Sequence, residues 1–315
     1  TRTVLSSSGS DAVETALKTS MLATGRPGDV AFEGAYHGLS FGALDCTWRS
    51  DFREPFQARL PGVTRFVPYG DLEAVRRIAH SSPDEIGAVI VEPVQGRGGE
   101  RVPPPGFLRG LREICDQAGW LLIADEIYTG LGRTGAIFAC DHEDVVPDLL
   151  CVGKGLASGM PLSACMGLAR VFEAWPRSAG EALHTQTFLG HPTGCAAALA
   201  SLAAMDAEAL VERSRRLGSE TLDRLRDALS DHPLVREVRG LGLMIGIECD
   251  PPETALVLTQ RLLSRGYVCL PSGAGGRVLS LTPPLTIGAQ ALADACEVIV
   301  QELDALTRAE RRQLA

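Results

Sequence analysis

Short apolar runs recur through the first half of the chain, each bounded by helical or loop-forming sequence. Gly87-Ala-Val-Ile-Val91 ends on Glu92-Pro93, Trp120-Leu-Leu-Ile-Ala124 on Asp125-Glu126, and Asp148-Leu-Leu-Cys-Val152 on Gly153-Lys154. Runs of this length without polar alternation predict strands buried on both faces of a parallel sheet. Thr3-Val-Leu5 predicts an earlier strand, Ser6 to Ser10 a small-residue turn, and Asp11 to Ala23 a helix with apolar positions 12, 13, 16, 17 and 21 on one face. Past about residue 206 the texture changes to an Arg- and Glu-rich helix, Ala207 to Asp231, then a strand in Gly242 to Glu248. A helix from Glu253 to Arg265, strand-like segments at Tyr267 to Leu270 and Val278 to Leu281, and a last helix after Thr286 complete the pattern. The expectation is an α/β fold. A mostly parallel central sheet forms a large domain over residues 1–206, followed by a smaller α+β domain over 207–315.

Two features of this pattern bear on chemistry. In open α/β sheets ligands gather beyond the carboxyl ends of the strands, so Glu92, Asp125 and Lys154 are expected on one rim. Ser8, with Asp11 three residues on, fits a helix cap. A helix start preceded by Gly and Ser equally suits an anion, because free amides point at it and the helix dipole favours it. The spacing alone leaves both readings open.

Composition narrows the class of partner. A chain of 315 residues with 45% hydrophobic content can bury a substantial core. The net charge of -9 argues against a nucleic-acid surface, which is normally basic, and favours small-molecule partners. Nine cysteines with no C-x-x-C pair read as reduced thiols, with neither a disulfide framework nor a metal site, and so as a cytoplasmic chain. The most apolar helical stretch, Cys195 to Met205, falls short of the roughly 20 residues a membrane span takes, and no signal peptide is read at the start.

Among 30 basic residues only Lys18 and Lys154 are lysines. Lys18 falls on the polar face of the first helix and needs no further role. Lys154, between two glycines after an apolar run, is different: a guanidinium cannot form a carbonyl adduct there, and an amine can.

The runs Ser8-Gly-Ser-Asp-Ala-Val-Glu14, Phe32-Glu-Gly-Ala-Tyr-His-Gly38, Val91-Glu-Pro-Val-Gln-Gly96, Asp125-Glu-Ile127, Thr129-Gly-Leu-Gly-Arg-Thr-Gly135, Gly153-Lys-Gly155, Thr187-Phe-Leu-Gly-His-Pro192 and Pro284-Leu-Thr-Ile287 occur in this order. In that order and content the chain resembles the class III aminotransferases over nearly its whole length. The resemblance implies the aspartate-aminotransferase-like fold of pyridoxal 5'-phosphate (PLP) enzymes, normally a homodimer. It makes Lys154 the Schiff-base lysine and Asp125 the partner of the pyridine nitrogen. Gly9 and Ser10 would hold the cofactor phosphate, Tyr36 would stack on one ring face, Ile127 would pack on the other, and His37 would line the pocket. Thr187 matches a threonine that reaches the phosphate of the neighbouring subunit's cofactor.

The departures bear on substrate. Leu39 stands where the 4-aminobutyrate branch has an arginine for the distal carboxylate, and Ser280 where an arginine grips the α-carboxylate of the keto acid. Both bidentate carboxylate contacts are thereby lost. Glu92 aligns with the glutamate that pairs with the second arginine, leaving it to a substrate amine or to a local hydrogen bond. Tyr128 replaces a frequent glutamine at the cofactor's ring hydroxyl. Arg97 either supplies a replacement cation or faces solvent. The family also carries a longer segment ahead of the Ser-Gly-Ser turn than this chain does, so a fragment or a shortened protein is expected. The leading expectation is transfer of an amino group from a primary amine or omega-amino donor to a carbonyl acceptor, with poor use of 4-aminobutyrate and 2-oxoglutarate. The alternatives are a racemase, epimerase or aminomutase of the same fold, or a cofactor-binding partner subunit with little activity.

Overall fold

The computed structural model describes residues 1–313, with side chains through Ala309. Seven strands form the larger sheet: β1 (Arg2–Ser6), β2 (Gly28–Phe32), β3 (Thr64–Val67), β4 (Ile86–Val91), β5 (Leu121–Asp125), β6 (Leu149–Val152) and β7 (Ser163–Gly167). Their order is β1-β7-β6-β5-β4-β2-β3. The pairs β6/β5, β5/β4, β4/β2 and β2/β3 are parallel, and β7 runs antiparallel to both of its neighbours. Hence β1, β2, β4, β5 and β6 all point the same way, and their carboxyl ends share a rim.

Side-chain alternation along these strands fills two layers. Val30, Phe32, Val89, Val91, Leu122 and Ala124 join Val75, Leu108, Leu111 and Ile114 of the helices Leu72–Ser81 and Phe107–Ala118 on one face. Ala31, Ala88, Ile90, Ile123, Leu149 and Cys151 meet Ala12, Val13 and Ala16 of the helix Gly9–Thr24 on the other. The expected apolar stripe of that helix needs one correction. Met21 is 45% exposed, while Thr19 and Ser20 are buried in its place. Nine residues past Ala12 is two and a half turns, which carries position 21 to the opposite side.

The chain divides into two compact units. One comprises Thr1–Pro93, Pro103–Leu131 and Phe138–Glu208, the other Val94–Val102, Gly132–Ile137 and Ala209–Ala315. The second unit carries an antiparallel sheet of β8 (Val235–Leu241), β9 (Met244–Cys249), β10 (Leu270–Ser272) and β11 (Val278–Leu281), in the order β10-β11-β9-β8. Its core is leucine-rich, with Leu225, Leu243, Leu258, Leu262, Leu279 and Leu303 fully buried. Gly242 and Leu243, expected in a strand, form the two-residue turn between β8 and β9, with Gly242 at φ +56°. The strand expected at Tyr267–Leu270 begins only at Leu270, where pairing with Ser280 starts. The helix expected over Ala207 to Asp231 runs from Leu210 to Leu229: the preceding helix Pro192–Ala207 ends where it was expected to start, and Ala209 turns left-handed at φ +47° between them. No single helix among the described residues is long and apolar enough to cross a membrane.

Candidate active site

Three neighbouring strand ends supply the centre. Asp125 is the last residue of β5 and is paired in register with Cys151 of β6, three residues before Lys154. Its carboxylate is 4% exposed and doubly held: Ile127 N donates to Oδ1 (3.1 Å), and His37 Nδ1 donates to Oδ2 (2.8 Å). A carboxylate can only accept, so the proton of that second bond sits on the imidazole. His37 is itself fixed by its backbone, whose N–H donates to Thr47 Oγ1 (3.0 Å). Its other ring nitrogen, Nε2, is buried with no hydrogen-bond partner.

Lys154 opens a short 3-10 turn after β6, with its backbone in the left-handed region at φ +39°. A non-glycine residue held there carries strain of the kind found at functional sites. The side chain is exposed, and Nζ lies 4.0 Å from the centroid of the Tyr128 ring, a cation–π contact. Tyr128 therefore presents its ring face to the amine.

The expected anion turn is built as a helix start. Ser8 caps the helix Gly9–Thr24 by accepting from Asp11 N (3.3 Å). Gly9 lies flush against Ile127, where an added Cβ would come within 2.8 Å of Cδ1. Ser10 Oγ donates to Ser40 Oγ (2.8 Å) and accepts from Ser40 N (3.0 Å). Gly38, at φ +128°, lets this loop pass so close that any Cβ would overlap the Ser10 hydroxyl. Both readings of the turn remain compatible, since Ser8 supplies the cap and leaves the Gly9 and Ser10 positions to an anion.

Tyr36 lies on the loop after β2. Its N–H donates to Glu92 Oε1 (2.9 Å), and its ring meets Phe52 edge-on at 5.8 Å. Glu92, 5% exposed, has thus taken the local hydrogen bond that was one of its two expected uses. Phe52 is capped in turn by the Arg49 guanidinium at 4.8 Å. Thr187 lies in the segment leading to the helix Pro192–Ala207, is exposed, and is not placed among the residues above. Leu39 is 51% exposed, and Arg97 is exposed as well. Within the second unit, Ser280 and Ser272 each donate to Glu100 (2.6 Å), which is 1% exposed, so a buried carboxylate network occupies the position expected of an arginine in relatives. The His37–Asp125 bond and the Phe52 contact were not anticipated. The first joins residues 88 apart in sequence, a pairing that periodicity and spacing do not signal.

The site as a whole offers an amine, an aspartate oriented by a histidine, an aromatic ring fixed at its backbone, and a helix start with free donors. Gly9, whose missing Cβ leaves Ile127 flush with the turn, fits a flat group lying over Ile127 with its anionic end at the helix. The profile described as aminotransferase class-III matches residues 1–303. An acetylornithine aminotransferase of Methanopyrus kandleri is 43% identical over 298 residues, covering 95% of this chain and 73% of the relative. The ornithine aminotransferase of Toxoplasma gondii superposes with a TM-score of 0.90 at 33% identity, over 98% of this chain and 74% of that one. An amine transaminase from an uncultivated Pseudomonas species, solved in a PLP-bound form, gives 0.87 at 31% identity, over 96% and 77%.

Proposed function

Since the chain belongs to the class III aminotransferases, PLP-dependent transaminases by family, we propose that its own donor is a primary amine at the end of a chain and that Lys154 is the residue that holds the cofactor. The observation that carries the second assignment is the placement of Asp125, oriented by His37, at the end of one strand, with the lysine just past the end of the parallel strand beside it. When bound, the cofactor supplies a protonated ring that takes up the electron pair left when a substrate Cα–H is removed. Asp125 would favour the protonated form of that ring, because a carboxylate beside the nitrogen stabilises the charge. Lys154 Nζ would serve as the base that takes the proton and then as the acid that returns it. Gly9 and Ser10 would hold the phosphate with backbone donors, and Tyr36 and Ile127 would hold the ring. Tyr128 keeps the lysine amine over the site through the cation–π contact.

The donor assignment rests on what is missing. Leu39 brings no cation, and Ser280 is engaged with Glu100, so neither supplies a bidentate grip on a carboxylate. The relatives named for ornithine, acetylornithine and simple amines share a terminal amino group, the one element a site without these arginines still needs to recognise. A homodimer is part of the proposal. The helix Pro192–Ala207 is rich in apolar residues yet buries only Gly194 and Ala198, and Leu183, Phe188 and Leu199 are 63%, 70% and 71% exposed beside Thr187. A second copy covering this face would bring Thr187 to the partner's site.

The test is an absorbance-monitored panel of amines added to the PLP-loaded protein without acceptor. Terminal amines should bleach the visible band, 4-aminobutyrate with 2-oxoglutarate should turn over slowly, and Lys154→Ala should show neither the band nor turnover. An active Lys154→Ala variant would end the cofactor assignment. Fast turnover of 4-aminobutyrate with 2-oxoglutarate would end the reading that the site lacks a carboxylate grip, and a panel of terminal amines that leaves the band unchanged would end the donor assignment.

A further inference from the structure

The turn that carries Lys154 has a backbone that needs support from outside. Lys154, Ser158 and Gly159 lie in the left-handed region, at φ +39°, +46° and +107°, and only the last is a glycine. Two residues that bear side chains are thus held where the Cβ crowds the following carbonyl.

Support comes from the helix Pro192–Ala207. Its inward positions are small, with Gly194 and Ala198 buried and Cys195, Ala197 and Ser201 half-buried. Cys195, Ala197 and Ala198 pack with Leu156 and Ala157 of the turn and with Leu162, just before β7. Polar anchors flank this apolar patch. At one end Ser201 Oγ lies 3.3 Å from Gly155 O and 2.9 Å from Ser158 Oγ. A carbonyl only accepts, so the single Ser201 proton goes to Gly155, and the Ser158 hydroxyl donates to Ser201. One side chain therefore ties the residue directly after Lys154 to the left-handed Ser158. At the other end His191, which caps the helix, accepts from Gly194 N through Nδ1 (3.1 Å) and donates through Nε2 to Pro161 O (3.2 Å). Both bonds use the same neutral tautomer, with the proton on Nε2. Gly194 belongs to this arrangement, since a Cβ there would fall 2.6 Å from His191 Nε2.

We propose that Ser201 is a positioning residue for the Lys154 amine. His191 holds the start of the helix against Pro161, and two turns further on Ser201 reaches the lysine turn. By closing that turn from Gly155 to Ser158, Ser201 fixes the direction in which the lysine side chain leaves the backbone, and so keeps Nζ over the Tyr128 ring at 4.0 Å. Without the hydroxyl, Gly155 and Ser158 lose their common partner, the Lys154 backbone relaxes out of the left-handed region, and the amine swings off the ring. The loss falls on the steps that need the amine in one place, while Gly9 and Ser10 are untouched. The effect on turnover rests on the assignment of Lys154 to the cofactor, whereas the position of the amine over Tyr128 does not.

The chain has only two lysines, so lysine labelled with carbon-13 at Cε gives two NMR signals, and Lys18→Arg identifies the one from Lys154. In the cofactor-free full chain the Tyr128 ring should shield the protons on that carbon, a shift that Tyr128→Leu removes. Ser201→Ala should lose most of the shift and Ser201→Thr should restore it. Ser158→Ala, which leaves the bond from Ser201 to Gly155, should lose part of it. In the PLP-loaded protein Ser201→Ala should lower kcat about three- to tenfold, the worth of one hydrogen bond, with KM for the amine unchanged. A Lys154 signal at the same place in the wild type and in Ser201→Ala overturns the proposal. So does full kcat in Ser201→Ala where Lys154→Ala is inactive. Should Ser201→Ala fail to fold, Ser158→Ala carries the same comparison, and an unmoved signal there overturns the proposal. A Lys154→Ala enzyme that keeps its activity ends the cofactor assignment instead, and the labelled lysine still decides whether Ser201 holds the amine.

Discussion

The ionisation of Asp29 should make the stability of this protein fall as pH rises, and the size of the fall follows from its burial. The folded carboxyl ionises at about 7, against 3.8 for an ordinary aspartate, so between these values the unfolded chain gives up a proton that the folded chain keeps. Stability is then fully present below pH 4, declines through pH 4 to 7, and levels off above. At about 1.36 kcal/mol per pH unit the accumulated cost is about 2 kcal/mol at pH 5 and about 4 kcal/mol at pH 8. Asp29→Asn removes this term at every pH. Thermal melts of the wild type and variant at pH 5 and pH 8 should show the variant gaining about 2–3 kcal/mol relative to the wild type between the two, or several degrees in Tm for a chain of this size. Parallel pH dependences would refute the reasoning, because they would mean that Asp29 ionises in the folded chain as easily as in water.

Other expectations follow from close contacts and backbone conformation. Gly9→Ala places a methyl 2.8 Å from Ile127 Cδ1 and 2.9 Å from Cγ2, so PLP affinity should fall about tenfold or more, and Gly9→Ala with Ile127→Ala should recover part of the loss by equilibrium titration. Unchanged affinity in the single variant would show that Ile127 yields without disturbing the turn. Gly218→Ala drives a Cβ into the Gly242 backbone carbonyl, where neither chain can retreat; a loss above about 3 kcal/mol in urea unfolding is expected, and a variant as stable as the wild type would contradict the contact. Ala209→Gly relieves a left-handed residue at φ +47° and should raise stability by up to about 1 kcal/mol, read as a higher unfolding midpoint.

The strands of the parallel sheet were legible because burial on both faces strips them of polar residues. β4 and β6 were read to within a residue at their starts, and their ends marked the rim on which Glu92, Asp125 and Lys154 lie. β3 and β8 carried no such signal: Arg65 in β3 and Arg236 and Glu237 in β8 face solvent, and short half-exposed strands resemble loops. Met21 shows the limit of an apolar count, since hydrophobic identity assigned a face that helix geometry denies it. The short-range chemistry, a lysine between glycines and a serine cap, was visible one residue at a time. What orients it was not. His37 meets Asp125, Phe52 meets Tyr36 and Ser280 meets Glu100 only after the chain has folded, and local periodicity does not encode such pairs.

The excursions Val94–Val102 and Gly132–Ile137, which belong to the second compact unit while their flanks belong to the first, bear on how the protein is made. Glu100 leaves the ribosome 180 residues ahead of Ser280, one of its two serine donors. At about 5–20 residues per second this is a wait of roughly 10–40 s with a carboxylate destined for burial still in water. The first sheet can assemble meanwhile, since β1 to β7 are complete by Gly167, but it must do so with two loops uncommitted. Early release of the chain, or cleavage in either loop, should therefore harm the later unit more than the earlier one, and a piece starting at Ala209 would be synthesised without two of its own segments.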